Sequence, residues 1–214
     1  MIRLDQVTVA IQRTDILNNV SMEIGSGRMA GLIGRNGAGK TTLMRSIMGL
    51  LPLRRGSIVF DDTDLASVPP HRRSHHGIGF MPEDRRLVPD LSVAENVLLP
   101  AWAAKLTDAD ERLAWTYERM PEVQQFAARK ASLLSGGQQK LVALARSLMI
   151  GRRLLLLDEP FEGVAPALAR RLIDVIANLK GLNATVLISE SDYVHSRELV
   201  DQVFVIERGV VTIQ

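Results

Sequence analysis

The chain has 214 residues and a formal net charge of +2, from 26 Lys and Arg against 24 Asp and Glu, and it contains no cysteine. The lack of cysteine excludes disulfides and thiolate metal sites, and the nearly balanced charge does not favour a nucleic-acid partner. No apolar run reaches the roughly 18 residues that a membrane span needs, and Met1–Asp5 does not resemble a secretory signal. We therefore expect a cytoplasmic protein with one folded core.

Short apolar runs recur along the chain and are typical of β-strands. They cover residues 4–11, 20–24, 29–33, 58–60, 78–81, 154–157, 185–188 and 203–206. Several of these runs are apolar at every position, as expected for a strand that is covered on both faces. The sequence therefore predicts an α/β fold in which a mainly parallel sheet lies between helices.

Amphipathic patterns between these runs predict helices. Apolar residues repeat at helical spacing in three sets, which are Leu43, Ile47 and Leu50; Leu141, Leu144 and Leu148; and Leu168, Leu172, Ile176 and Leu179. We expect Gly181 to stop the last of these helices. The segment 88–134 lacks strand-like runs and is rich in Ala, Glu, Arg and Leu, so we predict a helical insert there.

A glycine-rich loop follows the apolar run 29–33. It reads Gly34, Arg35, Asn36, Gly37, Ala38, Gly39, Lys40 and Thr41, which is Gly, four residues and Gly-Lys-Thr, and Thr42 opens the amphipathic segment after it. Glycines allow backbone N–H groups to surround phosphates, and a helix N-terminus adds positive potential. Lys40 would neutralise phosphate charge and the Thr41 hydroxyl would bind Mg²⁺. A glycine-rich turn with an exposed lysine is the simpler alternative.

Two carboxylates end the apolar run 154–157. Asp158 and Glu159 are expected at the carboxyl edge of the sheet, where the glycine-rich loop would also lie. Asp158 would hold Mg²⁺ directly or through its water shell, and Glu159 would act as the general base on the attacking water. The alternative is a solvated loop that happens to carry two acids.

A third motif, Ser135, Gly136, Gly137 and Gln138, follows Leu134 and stands upstream of Asp158. This motif resembles the signature sequence of the ABC ATPases. With the glycine-rich loop and the acidic pair in the same order, the resemblance to that family extends over essentially the whole chain. The resemblance implies a P-loop core with an N-terminal antiparallel β subdomain (1–87 and 135–214) and an inserted α-helical subdomain (88–134). It also implies that the signature contacts ATP bound to the opposite subunit of a homodimer or heterodimer.

A finer pattern is similar to the branched-chain amino acid uptake ATPases. It lies in residues 71–73, 77–86, 91–96 and 158–166. The resemblance implies an importer subunit held to the inner face of the membrane by permease subunits and served indirectly by a periplasmic binding protein. Related importers of urea and short amides, an exporter or lipid-transport ATPase, and a non-transport ABC ATPase are the alternatives, and a P-loop kinase or GTPase fits the motifs less well.

Three positions depart from the wider family pattern. Relatives stack an aromatic residue on adenine near the first hairpin, where this chain has Ile11. The usual switch glutamine aligns with Glu83, which adds a carboxylate near Mg²⁺. Relatives place a histidine that contacts the γ-phosphate where this chain has Ser191, and His195 is expected on the following helix. Slow hydrolysis is the consequence that we expect.

Overall fold

The computed structural model describes residues 1–214, which form two β-sheets and six α-helices. The strands are β1 (Ile2–Ile11), β2 (Thr14–Ile24), β3 (Met29–Ile33), β4 (Arg55–Phe60), β5 (Thr63–Asp64), β6 (Ile78–Met81), β7 (Leu154–Asp158), β8 (Thr185–Glu190), β9 (Gln202–Glu207) and β10 (Val210–Ile213). The first sheet has the order β2-β1-β4-β5 and is antiparallel. The second has the order β10-β9-β3-β8-β7-β6 and is parallel except for β10.

The parallel sheet separates two hydrophobic cores, and this explains the uninterrupted apolar runs. In β7, Leu155 and Leu157 pack into one core, whereas Leu154 and Leu156 pack into the other. Since side chains alternate between the faces of a strand, a strand with a core on each face is apolar at successive positions rather than at every second one. The predicted α/β fold with a mainly parallel sheet is confirmed.

The helices are α1 (Lys40–Ile47), α2 (Val93–Ala103), α3 (Ala109–Arg119), α4 (Pro121–Gln125), α5 (Gly136–Leu148) and α6 (Pro166–Ala177). Three of them, α2, α3 and α4, lie in the segment 88–134, which contains no named strand and only one isolated bridge, between Ser92 and Lys130. No helix of the structure has the length and apolar character that a membrane crossing requires.

Two predicted helix ends were wrong. Leu50 lies beyond the end of α1 and is 53% exposed. Leu179 and Gly181 lie beyond α6, which ends at Ala177, and Gly181 belongs to a short 3₁₀ turn. The apolar periodicity continues past α6 because Leu179 is still buried in the core although it is no longer helical.

Candidate nucleotide site

The glycine-rich loop joins β3 to α1 at the carboxyl edge of the parallel sheet. The N–H of Gly34 donates to the carbonyl of Glu190, 3.1 Å away. A Cβ at Gly34 would lie 2.3 Å from the carbonyl oxygen of Ile206, so only glycine fits there. Gly39 is the N-cap residue of α1 and has a φ of 116°, which other residues rarely adopt. The glycines therefore serve close approach and a left-handed turn.

Lys40 is the first residue of α1, and its ammonium group is almost fully buried. It donates to the carbonyls of Gly34 and Arg35 and lies 3.0 Å from Oε1 of Glu159. Both side chains of this ion pair are less than a tenth exposed. The alternative of an exposed lysine is therefore wrong.

A cavity of ≈ 470 Å³ lies against the loop. Its walls are formed by Ile11, Ile16, Asn36, Gly37, Gly39, Lys40, Thr41, Thr42, Glu83 and Glu159. Nine of these ten residues were predicted from the sequence to belong to the site, and Ile16 was not. Ile11 is 43% exposed, so the two isoleucines form an apolar rim beside a polar floor.

Asp158 ends β7 and is completely buried. Its Oδ1 accepts a hydrogen bond from the Ser189 hydroxyl at 2.7 Å, whereas its Oδ2 is buried without a hydrogen-bond partner. Burial raises the pKa of Asp158, and the nearby hydroxyls of Ser189 and Thr41 oppose this shift. A buried carboxylate oxygen that lacks a donor, beside a threonine hydroxyl, fits the oxygen ligands that Mg²⁺ prefers.

Glu159 is held by contacts to its backbone and to its side chain. It has a φ of 48°, in the left-handed region. Its N–H donates to the Ser189 hydroxyl at 3.0 Å, and its carbonyl accepts from Lys140 at 2.6 Å. Only 6% of the residue is exposed, so the alternative of two acids in a solvated loop is wrong.

Ser191 lies in this network. Its hydroxyl is 2.7 Å from Oδ1 of Asn36 and 2.9 Å from Oε1 of Glu159. The residue that follows β8 by one position is therefore placed against both the glycine-rich loop and the acidic pair. His195 is not: it lies in an irregular segment between β8 and β9 with its ring centroid 5.3 Å from that of Phe161, and the predicted helix there is wrong.

Glu83 contributes a carboxylate from the loop after β6. Partial desolvation raises its pKa, as do the negative charges of Glu162, Asp158 and Glu159, while Lys140 opposes them. Glu83 therefore adds a carboxyl group to an already acidic surrounding, and the neighbouring negative charges are the reason that its pKa is raised further.

The signature motif begins α5. Ser135 is the N-cap residue, and its hydroxyl oxygen accepts a hydrogen bond from the N–H of Gln138. The side-chain oxygen of Gln138 in turn accepts a hydrogen bond from the N–H of Ser135. Ser135 and Gly136 are exposed, and none of the four signature residues lines the cavity at the glycine-rich loop. Arg85 donates to the carbonyl of Gly136 and to Gln139, which ties the loop after β6 to this helix.

Lys140 was not predicted as part of the site. It extends from α5 and donates to the carbonyls of Glu159 and Glu162 at 2.6 and 2.7 Å, and it is 4% exposed. Burial lowers its pKa, whereas Glu162 raises it. No sequence motif links this lysine to the acidic pair, because the contact between them is made by the packing of α5 in the folded chain.

Known proteins resemble this chain over most of its length. The model of the ABC transporter family matches residues 17–162. The high-affinity branched-chain amino acid transport ATP-binding protein BraG of Pseudomonas aeruginosa is 31% identical over 98% of this chain and 90% of its own length. The lipopolysaccharide export system ATP-binding protein LptB of Escherichia coli is 31% identical over 91% of this chain and 81% of its own.

A solved structure gives the same result. The ADP conformation of an ATP-binding cassette of an ABC transporter superposes with a TM-score of 0.85 at 27% identity, over 99% of this chain and 89% of the other. The match covers both sheets and all six helices, since almost no part of the chain lies outside it. The chain is therefore a member of the ABC transporter family, as an ATP-binding subunit that hydrolyses ATP.

Proposed function

We propose that the chain hydrolyses Mg-ATP in a nucleotide-sandwich dimer and drives solute uptake through membrane permease subunits. The observation that carries this proposal is the convergence of Lys40, Asp158, Glu159 and Ser191 at one edge of the parallel sheet, within hydrogen-bonding reach of one another or of a shared neighbour.

In this proposal, the glycine-rich loop binds the phosphates of ATP. Residues 34–42 supply N–H groups, Lys40 neutralises phosphate charge, and Ile11 and Ile16 form an apolar surface for the adenine. Ile11 offers less contact area than an aromatic ring would, so we expect base recognition to be weak.

Thr41, Asp158 and Glu83 are the residues proposed to hold Mg²⁺. The metal ion would neutralise charge on the phosphates. Glu159 is the proposed general base, and a base must lie within hydrogen-bond reach of the water that it activates. Its carboxylate is aimed at the cavity by its left-handed backbone and by its contacts with Lys40 and Ser191.

The proposed dimer uses the exposed N-terminus of α5. The signature residues are available to a second subunit, because Ser135 and Gly136 are exposed. None of the four residues lines the cavity of its own chain. A helix N-terminus with glycines attracts phosphate. The second subunit is a copy of this chain or a related ATPase.

The proposed permease contact is a groove between the core and the helical segment. It has a volume of ≈ 300 Å³, and its lining includes Leu50, Pro82, Arg86, Pro100 and Arg146. The groove joins the loop after β6 to α2 and α5, so a partner seated in it would contact the loop that carries Glu83. Through this contact the subunit would sit on the inner face of the membrane.

The proposed substrates are branched-chain amino acids or related amides, carried by a periplasmic binding protein that the ATPase does not touch. The similarity to BraG supports this choice. The second candidate is an export or lipid-transport role, which is supported by LptB because its sequence identity to this chain equals that of BraG.

Two measurements test the proposal. The purified chain should hydrolyse ATP only with Mg²⁺, and the Glu159→Gln variant should not. Co-reconstitution with candidate permeases in liposomes then separates the directions of transport: ATP-dependent accumulation of leucine supports import, whereas extraction of lipopolysaccharide supports export and would overturn the importer proposal.

A further inference from the structure

A single buried hydroxyl, that of Ser189, joins the two acids of the site. Ser189 lies on β8 opposite Asp158 of β7 in the parallel register, and it is completely buried. Its Oγ lies 2.7 Å from Oδ1 of Asp158 and 3.0 Å from the backbone nitrogen of Glu159. No other side chain of the structure bonds to both acids.

The orientation of this hydroxyl is fixed. The N–H of Glu159 can only donate, so Oγ of Ser189 accepts that bond and its single proton is left for Asp158. The result is a directed chain from a backbone N–H through a hydroxyl to a carboxylate. Such chains strengthen in a buried setting because little water competes for the partners.

The bond to Asp158 selects which carboxylate oxygen is free. Oδ1 is taken by Ser189, and Oδ2 is buried without a partner. If the hydroxyl were lost, the carboxylate could rotate, and neither oxygen would be held in a set direction.

The bond to the N–H of Glu159 holds a strained backbone. Glu159 has a φ of 48°, a conformation that costs free energy in residues other than glycine and persists only where neighbours enforce it. This conformation turns its carboxylate to Lys40 and Ser191. The two residues that follow Ser189 contact the glycine-rich loop. The carbonyl of Glu190 accepts a hydrogen bond from the N–H of Gly34, and the Ser191 hydroxyl contacts Asn36.

From these contacts we infer that Ser189 is a positioning residue for both the metal-binding acid and the general base, an inference that rests on the proposed function. It orients Asp158 for the binding of Mg²⁺ and fixes the backbone of Glu159, and it does not line the cavity itself. Loss of its hydroxyl therefore weakens the contribution of Mg²⁺ to nucleotide binding and lowers turnover, without changing nucleotide binding in the absence of metal.

The test compares Ser189→Ala with Thr116→Val, which removes another completely buried hydroxyl, one that bonds to Arg112 in α3 away from the site. The dissociation constant of a fluorescent ATP analogue is measured in EDTA and in a MgCl₂ titration. Because partners of metal ligands typically contribute 10- to 100-fold to metal affinity, we expect the half-saturating Mg²⁺ concentration to rise about tenfold or more in Ser189→Ala, with kcat lowered. Thr116→Val should match the wild type.

An unchanged Mg²⁺ dependence in folded Ser189→Ala would overturn the inference, as would an equal change in EDTA and in Mg²⁺, which indicates only a general loss of structure. If Ser189→Ala does not fold, Ser189→Cys decides, since a thiol is a weaker donor of similar size: a shift in Mg²⁺ dependence supports the inference and no shift overturns it. These outcomes differ from failure of the proposed function, in which the wild type itself would not bind the nucleotide.

Discussion

Nζ of Lys40 lies 3.0 Å from Oε1 of Glu159, and both side chains are buried. The residue proposed to bind phosphate and the residue proposed to activate water are therefore ion-paired with each other. A phosphate that binds Lys40 competes with this pair, because the ammonium has three protons and already donates to two carbonyls. Nucleotide binding is thus linked to the freedom of the Glu159 carboxylate.

The first prediction is that Lys40→Ala abolishes tight ATP binding. The variant lacks the buried cation that neutralises phosphate charge, and it leaves the Glu159 carboxylate to repel the nucleotide. Equilibrium titration with a labelled ATP analogue measures the effect, with the exposed Lys130→Ala as control. Equal affinity in Lys40→Ala and the wild type would contradict the assignment of the phosphate loop.

Glu159→Gln is expected to bind ATP at least as tightly as the wild type and to lose turnover by about 10²-fold or more, as expected for a general base. The amide keeps the shape of the side chain but no longer forms an ion pair with Lys40. Gel filtration with ATP should then show a dimer that the wild type does not accumulate. An active Glu159→Gln enzyme would rule out the role of base.

Ser191→His is expected to raise kcat by roughly tenfold, with little change in ATP affinity. Ser191 is exposed, so a larger side chain has room, and its hydroxyl already reaches Glu159. An imidazole is longer and can carry positive charge, so it would stabilise more of the charge that develops in the transition state.

Steady-state ATPase kinetics decide this, with Glu159→Gln as the inactive control and Ser191→Ala as the variant that removes the hydroxyl. We expect kcat to fall from Ser191→His through the wild type to Ser191→Ala. A kcat for Ser191→His at or below that of the wild type would mean that this chain does not use the position as its relatives do.

Charge reversal at Arg85 and at Arg86, which follow β6, should have different effects because the two arginines make different contacts. Arg86 lines the groove proposed for the permease, whereas Arg85 donates to the signature helix at Gly136. We expect Arg86→Glu to uncouple transport while sparing basal ATPase activity, and Arg85→Glu to lower ATPase activity as well. Both activities are measured in the reconstituted complex. An equal loss of both in Arg86→Glu would place that arginine in the nucleotide site.

Glu190 predicts a pH dependence of stability. Burial raises its pKa above the ordinary value of 4.5, although bonds from Ser196 and the charge of His195 oppose the shift, and Asp192 adds to it. The folded chain therefore retains this proton when the unfolded chain has lost it, so stability falls as the pH rises from 4.5 through the raised pKa.

Glu190→Gln removes that fall, because the amide does not titrate. The unfolding temperature of the variant relative to the wild type should increase from pH 4.5 to pH 7.5, measured by calorimetry at roughly half-unit steps. The exposed Glu198→Gln should show no such trend. A difference that stays constant with pH would mean that Glu190 does not titrate in this range.

The sequence predicts the elements that have a local cause. The eight apolar runs all correspond to strands because each is buried by the sheet or by its neighbours, whereas β5 and β10 were missed: β5 has two residues, and β10 is a largely exposed edge strand. The three motifs were found because each is a short segment whose chemistry depends on adjacent residues.

What the sequence does not show is contact between distant segments. Ser189 and Lys140 reach the acidic pair across 30 and 19 positions, and Ile16 faces the cavity from the second strand of a hairpin. In the sequence, a serine in an apolar strand and a lysine in an amphipathic helix give no sign of a functional role. Their roles follow from the register of β7 with β8 and from the packing of α5, which no short motif encodes.

Two parts of α5 face different subunits in the proposed dimer. The N-terminus of the helix presents the signature to the second subunit, and one turn later Lys140 donates hydrogen bonds to the carbonyls of Glu159 and Glu162 of its own chain. In the proposed dimer, a displacement of this helix by the nucleotide of one site would move Lys140, and with it the backbone of Glu159 in the other site. The binding of nucleotide at one site of such a dimer would therefore affect hydrolysis at the other site, and one defective subunit would slow ATP hydrolysis at both.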